Sequence, residues 1–159
     1  MFKKLLTTRS LCVSAVIAAL YAALTLLLAP ISYGGVQCRL SEAMTLLPMI
    51  LPQAIPGLFV GCLIANLYTG MITDIIFGSL ATLLAAVGTF LLRKKPILAA
   101  ACPILANAVI VGLVLSLTSN WPIPLTMLQV GLGETAAVLV GFVILSAMKR
   151  AKVDLTRLG

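Results

Sequence analysis

The sequence predicts an all-α membrane protein, a six-transmembrane-helix bundle with both termini cytoplasmic and with helices 2 and 3 short and Pro-bent. Three observations predict it. First, 62% of the 159 residues are hydrophobic and only 9% are charged, with a mean hydropathy of +1.19. That leaves too few polar residues to coat a water-soluble domain of this length. Second, the apolar residues come in long runs rather than in alternation, as bilayer-spanning helices require. Third, ten of the eleven Lys and Arg residues fall into three clusters: Lys3, Lys4 and Arg9; Arg93, Lys94 and Lys95; Lys149, Arg150, Lys152 and Arg157. The positive-inside rule places all three clusters in the cytoplasm. The net charge of +7 therefore calls for no nucleic-acid partner. The expectation is a single integral membrane domain over residues 1–159, multi-pass in the cell membrane.

Each element follows from local signals. Helix 1 runs from about Ser10 to Ala29 and is ended by Pro30, Tyr33, Gly34 and Gly35. Its apolar run is too long for a signal-peptide core, and no A-x-A cleavage site follows it. A polar stretch from Gln37 to Glu42 leads into an apolar block from Ala43 to Tyr68, broken by Pro48, Pro52 and Pro56. Thr69, Gly70 and Thr73 mark a loop, and helix 4 runs from about Asp74 to Leu92. The basic turn ends at Pro96, helix 5 runs from about Ile97 to Leu117, and Ser119 to Pro124 form another loop. Helix 6 runs from about Leu125 to Met148.

Parity decides the middle block. With the amino terminus and the Arg93 turn on one side, an even number of crossings separates them, so the block from Ala43 to Tyr68 crosses twice. It is predicted to be a hairpin bending near Pro52 to Pro56. Length is the tension here: about 26 residues serve where two full spans need roughly 40.

The residue inventory narrows function. With no histidine, and with Cys12, Cys38, Cys62 and Cys102 scattered without a CxxC pair, a zinc site and a His-based triad are both disfavoured. The cysteines read as small buried apolar residues. No metal and no cofactor are expected. No Walker A motif is present, so ATP hydrolysis is not expected of this chain. An intramembrane enzyme would need a nucleophile–base pair or paired acids, and no activated Ser or Cys motif suggests one.

Small residues recur at helical spacing, which lets helix backbones approach closely in lipid. They include Ala15, Ala19 and Ala23 in helix 1; Gly57, Gly61 and Ala65 in helix 3; Gly78, Ala81, Ala85 and Gly88 in helix 4; and Gly131 and Gly141 in helix 6. Packing within the bundle explains most of these stripes; for helix 1 a partner protein is an equal alternative.

The polar residues gather on the outer half: Tyr33, Arg39 and Glu42 in the first outer region, Asn66 and Asp74 in the second, and Trp121 and Gln129 in the third. Asn107 sits near the middle of helix 5. Glu134 lies about ten residues, roughly 14 Å, into helix 6. A carboxylate at that depth costs at least ~2.5 kcal/mol on insertion scales, so it faces the bundle interior or a wet cavity. Arg39, the one outer cation, can pair with Glu42, Asp74 or Glu134, but not with all three. At least one acid is left needing a donor, which a ligand with N–H groups or a positive charge would supply. Trp121 fits either an interfacial anchor or a stacking platform.

The segments Ala29-Pro-Ile-Ser-Tyr-Gly, Gln37-Cys-Arg-Leu-Ser-Glu-Ala, Ile55-Pro-Gly-Leu-Phe-Val-Gly-Cys-Leu-Ile-Ala-Asn and Asp74-Ile-Ile-Phe-Gly-Ser-Leu-Ala-Thr-Leu-Leu resemble the queuosine-precursor transporter family, QueT. The resemblance covers about residues 10 to 148 and is densest from Ala29 to Leu84. It implies a substrate-binding S component of an energy-coupling factor (ECF) importer, with the ligand pocket near the outer surface. It also implies partners: a transmembrane T component, contacted by an Ala-xxx-Ala stripe matching Ala15, Ala19 and Ala23, and two cytoplasmic ABC ATPases. The implied substrate is a 7-deazaguanine, such as the aminomethyl precursor (preQ1) or queuine. Chemistry then suggests Glu134 for the guanine edge, Glu42 or Asp74 for an amine, and Asn66, Asn107 and Gln129 as polar readers, with Tyr33 or Trp121 stacking. The alternatives are an S component for another vitamin-like solute, an intramembrane enzyme, and a purely structural subunit.

Overall fold

The computed structural model describes residues 7–32 and 39–151. Within them the chain is almost wholly helical. Helix α1 (Thr8–Leu27) starts under a Thr7 cap whose hydroxyl accepts from the Ser10 N–H, which satisfies one of the free amides of the first turn. A one-turn helix, α2 (Ala29–Ser32), follows, so Pro30 does not end the helical path as the sequence suggested. Proline is tolerated there because the first turn of a helix needs no N–H from it. Next come a 3-10 segment (Leu40–Met49) and helix α3 (Ala54–Thr69), closed by Gly70 in the left-handed conformation. A single π turn (Asp74–Gly78) leads into α4 (Ser79–Leu91). Helices α5 (Pro96–Ser119) and α6 (Ile123–Arg150) complete the fold.

The unexpected element is the 3-10 segment. Ten residues is long for that geometry. Pro48 lies inside it, and in an α-helix its ring would clash with the carbonyl four residues back. The i to i−3 pattern, seen where Glu42 N–H bonds the Arg39 carbonyl at 2.9 Å and Ile50 N–H bonds the Leu47 carbonyl at 3.0 Å, relaxes that conflict. It also gains reach: ten residues extend about 20 Å at 2.0 Å each, against about 15 Å as α-helix. This is how so short a block provides two legs.

Side-chain pairings give the direction of each leg. Ser41 meets Thr25, Glu42 meets Tyr21, and Gln53 meets Ser14, so the 3-10 segment runs antiparallel to α1. A Cβ on Gly57 would come within 2.7 Å of the Ser14 carbonyl oxygen, and one on Gly61 within 2.8 Å of that of Ala18. Helix α3 therefore lies flush along α1 and runs parallel to it, an approach only glycine permits. Cys62 with Thr82 and Asn66 with Asp74 make α3 and α4 antiparallel. Thr89 with Ala99 does the same for α4 and α5, and the close approach of Gly112 to Met127 for α5 and α6. The six legs thus alternate, and Arg9, Arg93, Lys94, Lys95, Lys149 and Arg150 fall at one end of the bundle.

The 3-10 segment touches α1, α3, α4, α5 and α6 and is the axis of the bundle. Gly141 of α6 packs directly on the Ala43 carbonyl. Leu46 is fully buried, between Val138 and Leu145. Outside, large apolar side chains face outward, among them Leu20, Leu84, Leu105, Leu117, Leu139 and Val143. Inside, Thr25, Glu42, Thr82, Asn107, Thr126 and Glu134 are buried. Apolar surface over a polar interior is the arrangement a bilayer selects. Among the described residues four segments are long and apolar enough to cross it unaided: Thr8–Leu27, Asp74–Leu91, Pro96–Ser119 and Ile123–Arg150.

Candidate functional site

Three legs meet around a small polar cavity lined by Arg39, Glu42, Asn107, Val111, Val130 and Glu134. Arg39 precedes the 3-10 segment and Glu42 sits in its first turn. Asn107 and Val111 are four apart on α5, as are Val130 and Glu134 on α6, so each helix presents one polar and one apolar residue from a single face. The cavity lies in the half of the bundle away from the basic end. Its volume is about 10 Å³, close to the room one water needs. Glu42 is 1% exposed and Glu134 5%; neither carboxylate can rely on bulk water for solvation.

Their hydrogen bonds are incomplete. Oε1 of Glu42 accepts from the Tyr21 hydroxyl, and the Thr82 hydroxyl lies 3.3 Å from the same oxygen. Oε2 of Glu42 and Oε1 of Glu134 are buried with no hydrogen-bond partner. Arg39 and Asn107 line the same space as the two acids. Among the described residues lining the cavity there is one cation for two anions. A buried carboxylate oxygen without a donor is costly, and here the two residues that carry such oxygens line one space.

Four of the expected site residues, Arg39, Glu42, Asn107 and Glu134, line this cavity together. The other described ones are not part of its lining. Asn66 is fully buried, but its amide donates to the Asp74 backbone carbonyl at 2.9 Å and lies 3.5 Å from Ser79 Oγ. Asp74 is half-buried at the start of the π turn. Gln129 is half-buried on α6 and Trp121 is 49% exposed. Tyr33 lies outside the described residues. On α1 the stripe divides: Ala18 and Ala22 are buried, whereas Ala15, Ala19 and Ala23 are exposed. Tyr21, Thr82, Val111 and Val130 were not anticipated. A lone tyrosine in an apolar helix was the available signal for the first; nothing in the sequence marked the valines as cavity walls. Among the described residues no cluster of His, Cys, Asp and Glu could hold a metal ion.

An apolar exterior over buried, partly unsatisfied charge defines a multi-pass membrane protein with a polar chamber in its core. Comparison with known sequences identifies which kind. Residues 11–150 match the family described as QueT transporter, and the chain belongs to that family. A relative named queuosine precursor transporter QueT, from Lactococcus lactis subsp. cremoris (strain MG1363), is 29% identical over 158 residues, covering 90% of this chain and 93% of its own. No solved structure matches the chain.

Proposed function

We propose that this protein is the substrate-binding S component of an ECF-type importer, and that it captures a 7-deazaguanine queuosine precursor at the outer face of the cell membrane. In this reading the six alternating legs are six crossings with both termini in the cytoplasm, the 3-10 segment and α3 forming the short pair. The basic end then faces the cytoplasm, in keeping with the positive-inside rule, and the cavity opens toward the outside. The observation that carries the reading is the pair of buried carboxylate oxygens left without donors beside one guanidinium.

A guanine-type edge presents two adjacent N–H groups, which suit one carboxylate. Glu134 takes that edge, and Glu42 takes a cationic aminomethyl group on the ring. Asn107, between them, reads the remaining polar atoms. Asp74, the alternative amine partner, stands outside the cavity lining and is set aside. With the ligand's cation added to Arg39, two positive charges face two negative ones. The cavity of about 10 Å³ is far below the ~300 Å³ at the lower end of small-molecule pockets. Binding therefore requires the legs around it to part, which fits capture coupled to a conformational change. Energy would come from a T component and two ABC ATPases, with the exposed Ala15, Ala19 and Ala23 facing the T component.

The test is a binding titration of the purified protein with 7-aminomethyl-7-deazaguanine, queuine, riboflavin and thiamine. Saturable binding of the deazaguanines alone is expected; none for either deazaguanine would sink the substrate assignment. Separately, Ala19→Leu should abolish co-purification with the T component while leaving deazaguanine affinity within about threefold, since residue 19 is on the outer face.

A further inference from the structure

We propose that Tyr21 is a positioning residue for the binding site. Its hydroxyl fixes one oxygen of Glu42 and so aims the other into the cavity. The inference rests on the cavity being the ligand site. It adds a residue of α1, a helix that contributes nothing to the cavity lining, to the binding apparatus.

Tyr21 is fully buried, and its hydroxyl donates to Glu42 Oε1. The opposite oxygen, Oε2, has no partner, and Glu42 lines the cavity. A hydrogen bond to one oxygen restricts the rotation of the carboxylate and so limits the directions open to the free oxygen. Thr82 approaches the same Oε1, but its single proton has competing acceptors. Its Oγ1 lies 3.3 Å from Glu42 Oε1, 3.3 Å from Cys62 Sγ and 3.2 Å from the Gly78 carbonyl. A hydroxyl has one proton to donate. Tyr21 is therefore taken as the principal donor to Glu42 Oε1.

The helix turn that carries Tyr21 is tied to the same segment. The Thr25 hydroxyl donates to the Tyr21 carbonyl at 2.8 Å and lies 2.7 Å from Ser41 Oγ. Ser41 adjoins Glu42 in the 3-10 segment. Two polar contacts one turn apart, Tyr21 to Glu42 and Thr25 to Ser41, thus clamp the start of the 3-10 segment against α1. Preorganisation of this kind improves affinity by removing the cost of ordering the acceptor on binding.

The experiment compares wild type, Tyr21→Phe, Thr82→Val, Glu42→Gln and the Tyr21→Phe/Glu42→Gln double variant, all full-length in detergent. Tyr21→Phe keeps the buried ring, and thermal unfolding checks that the fold is retained. Tyr21→Phe should weaken 7-aminomethyl-7-deazaguanine binding about tenfold, the scale of one hydrogen bond to a charged group. Thr82→Val should weaken it less. The double variant should bind no worse than Glu42→Gln alone, because Tyr21 acts through Glu42. Infrared spectroscopy of the ligand-free protein supplies a readout that packing would not move: the carboxylate band assigned by its loss in Glu42→Gln should shift in Tyr21→Phe. Losses that add in the double variant, or an unmoved band, overturn the proposal. Should wild type bind no deazaguanine, the functional reading fails by itself, and the infrared band still decides the role of Tyr21.

Discussion

Two polar clusters lie in the same half of this bundle and have different outcomes. Around Asn66, the amide is spent on the chain itself: it donates to the Asp74 carbonyl and braces the π turn, and a Cβ on Gly78 would come within 2.9 Å of it. Around Glu42 and Glu134, hydrogen bonding stops short. Both clusters leave one or more buried oxygens without a partner. In the first that oxygen belongs to a neutral amide outside the cavity lining. In the second the oxygens belong to carboxylates that share a space with one guanidinium. An unpartnered oxygen thus becomes a candidate site only where charge and room coincide.

The comparison can be broken hardest at Arg39. Arg39→Met leaves two buried carboxylates without their cation, and loss of one partner of a buried pair costs about 3 kcal/mol or more. A large drop in thermal stability is expected, partly restored by adding Glu42→Gln; an unchanged melting temperature would show that the acids do not need the guanidinium. Glu42→Gln alone should lower deazaguanine affinity by about 10- to 100-fold, the scale of one or two charge-assisted hydrogen bonds, with stability unchanged or raised. Loss of stability with affinity intact would move Glu42 into the structural class. Asn66→Ala has the smallest expected effect, about 1 kcal/mol of stability, with affinity held. A binding defect there would erase the contrast between the two clusters.

Much of this was legible beforehand, for physical reasons. Lipid imposes long apolar runs and sorts basic residues, so the outer helices and the basic end could be read directly. The hairpin of short legs followed from parity, but its means did not: Pro48 turned the first leg into a 3-10 segment, and the added rise per residue eased the shortage of length. Glu42, Asn107 and Glu134 were singled out because polar groups in apolar helices are expensive, and the same cost gathered them with Arg39. That rule cannot distinguish a residue serving a ligand from one serving the backbone, which is why Asn66 was grouped with the site. Tyr21 was missed because its partner is on another leg, and only the packing of α1 against the 3-10 segment brings the two together.

The most direct test of the account is the affinity of Glu134→Gln for 7-aminomethyl-7-deazaguanine, measured by titration calorimetry beside wild type. The substitution keeps the side chain's size and removes the acceptor for the guanine edge. The account predicts a loss of about 100-fold or more, the scale of two charge-assisted hydrogen bonds, with thermal stability retained. Equal affinity in the two proteins would contradict it.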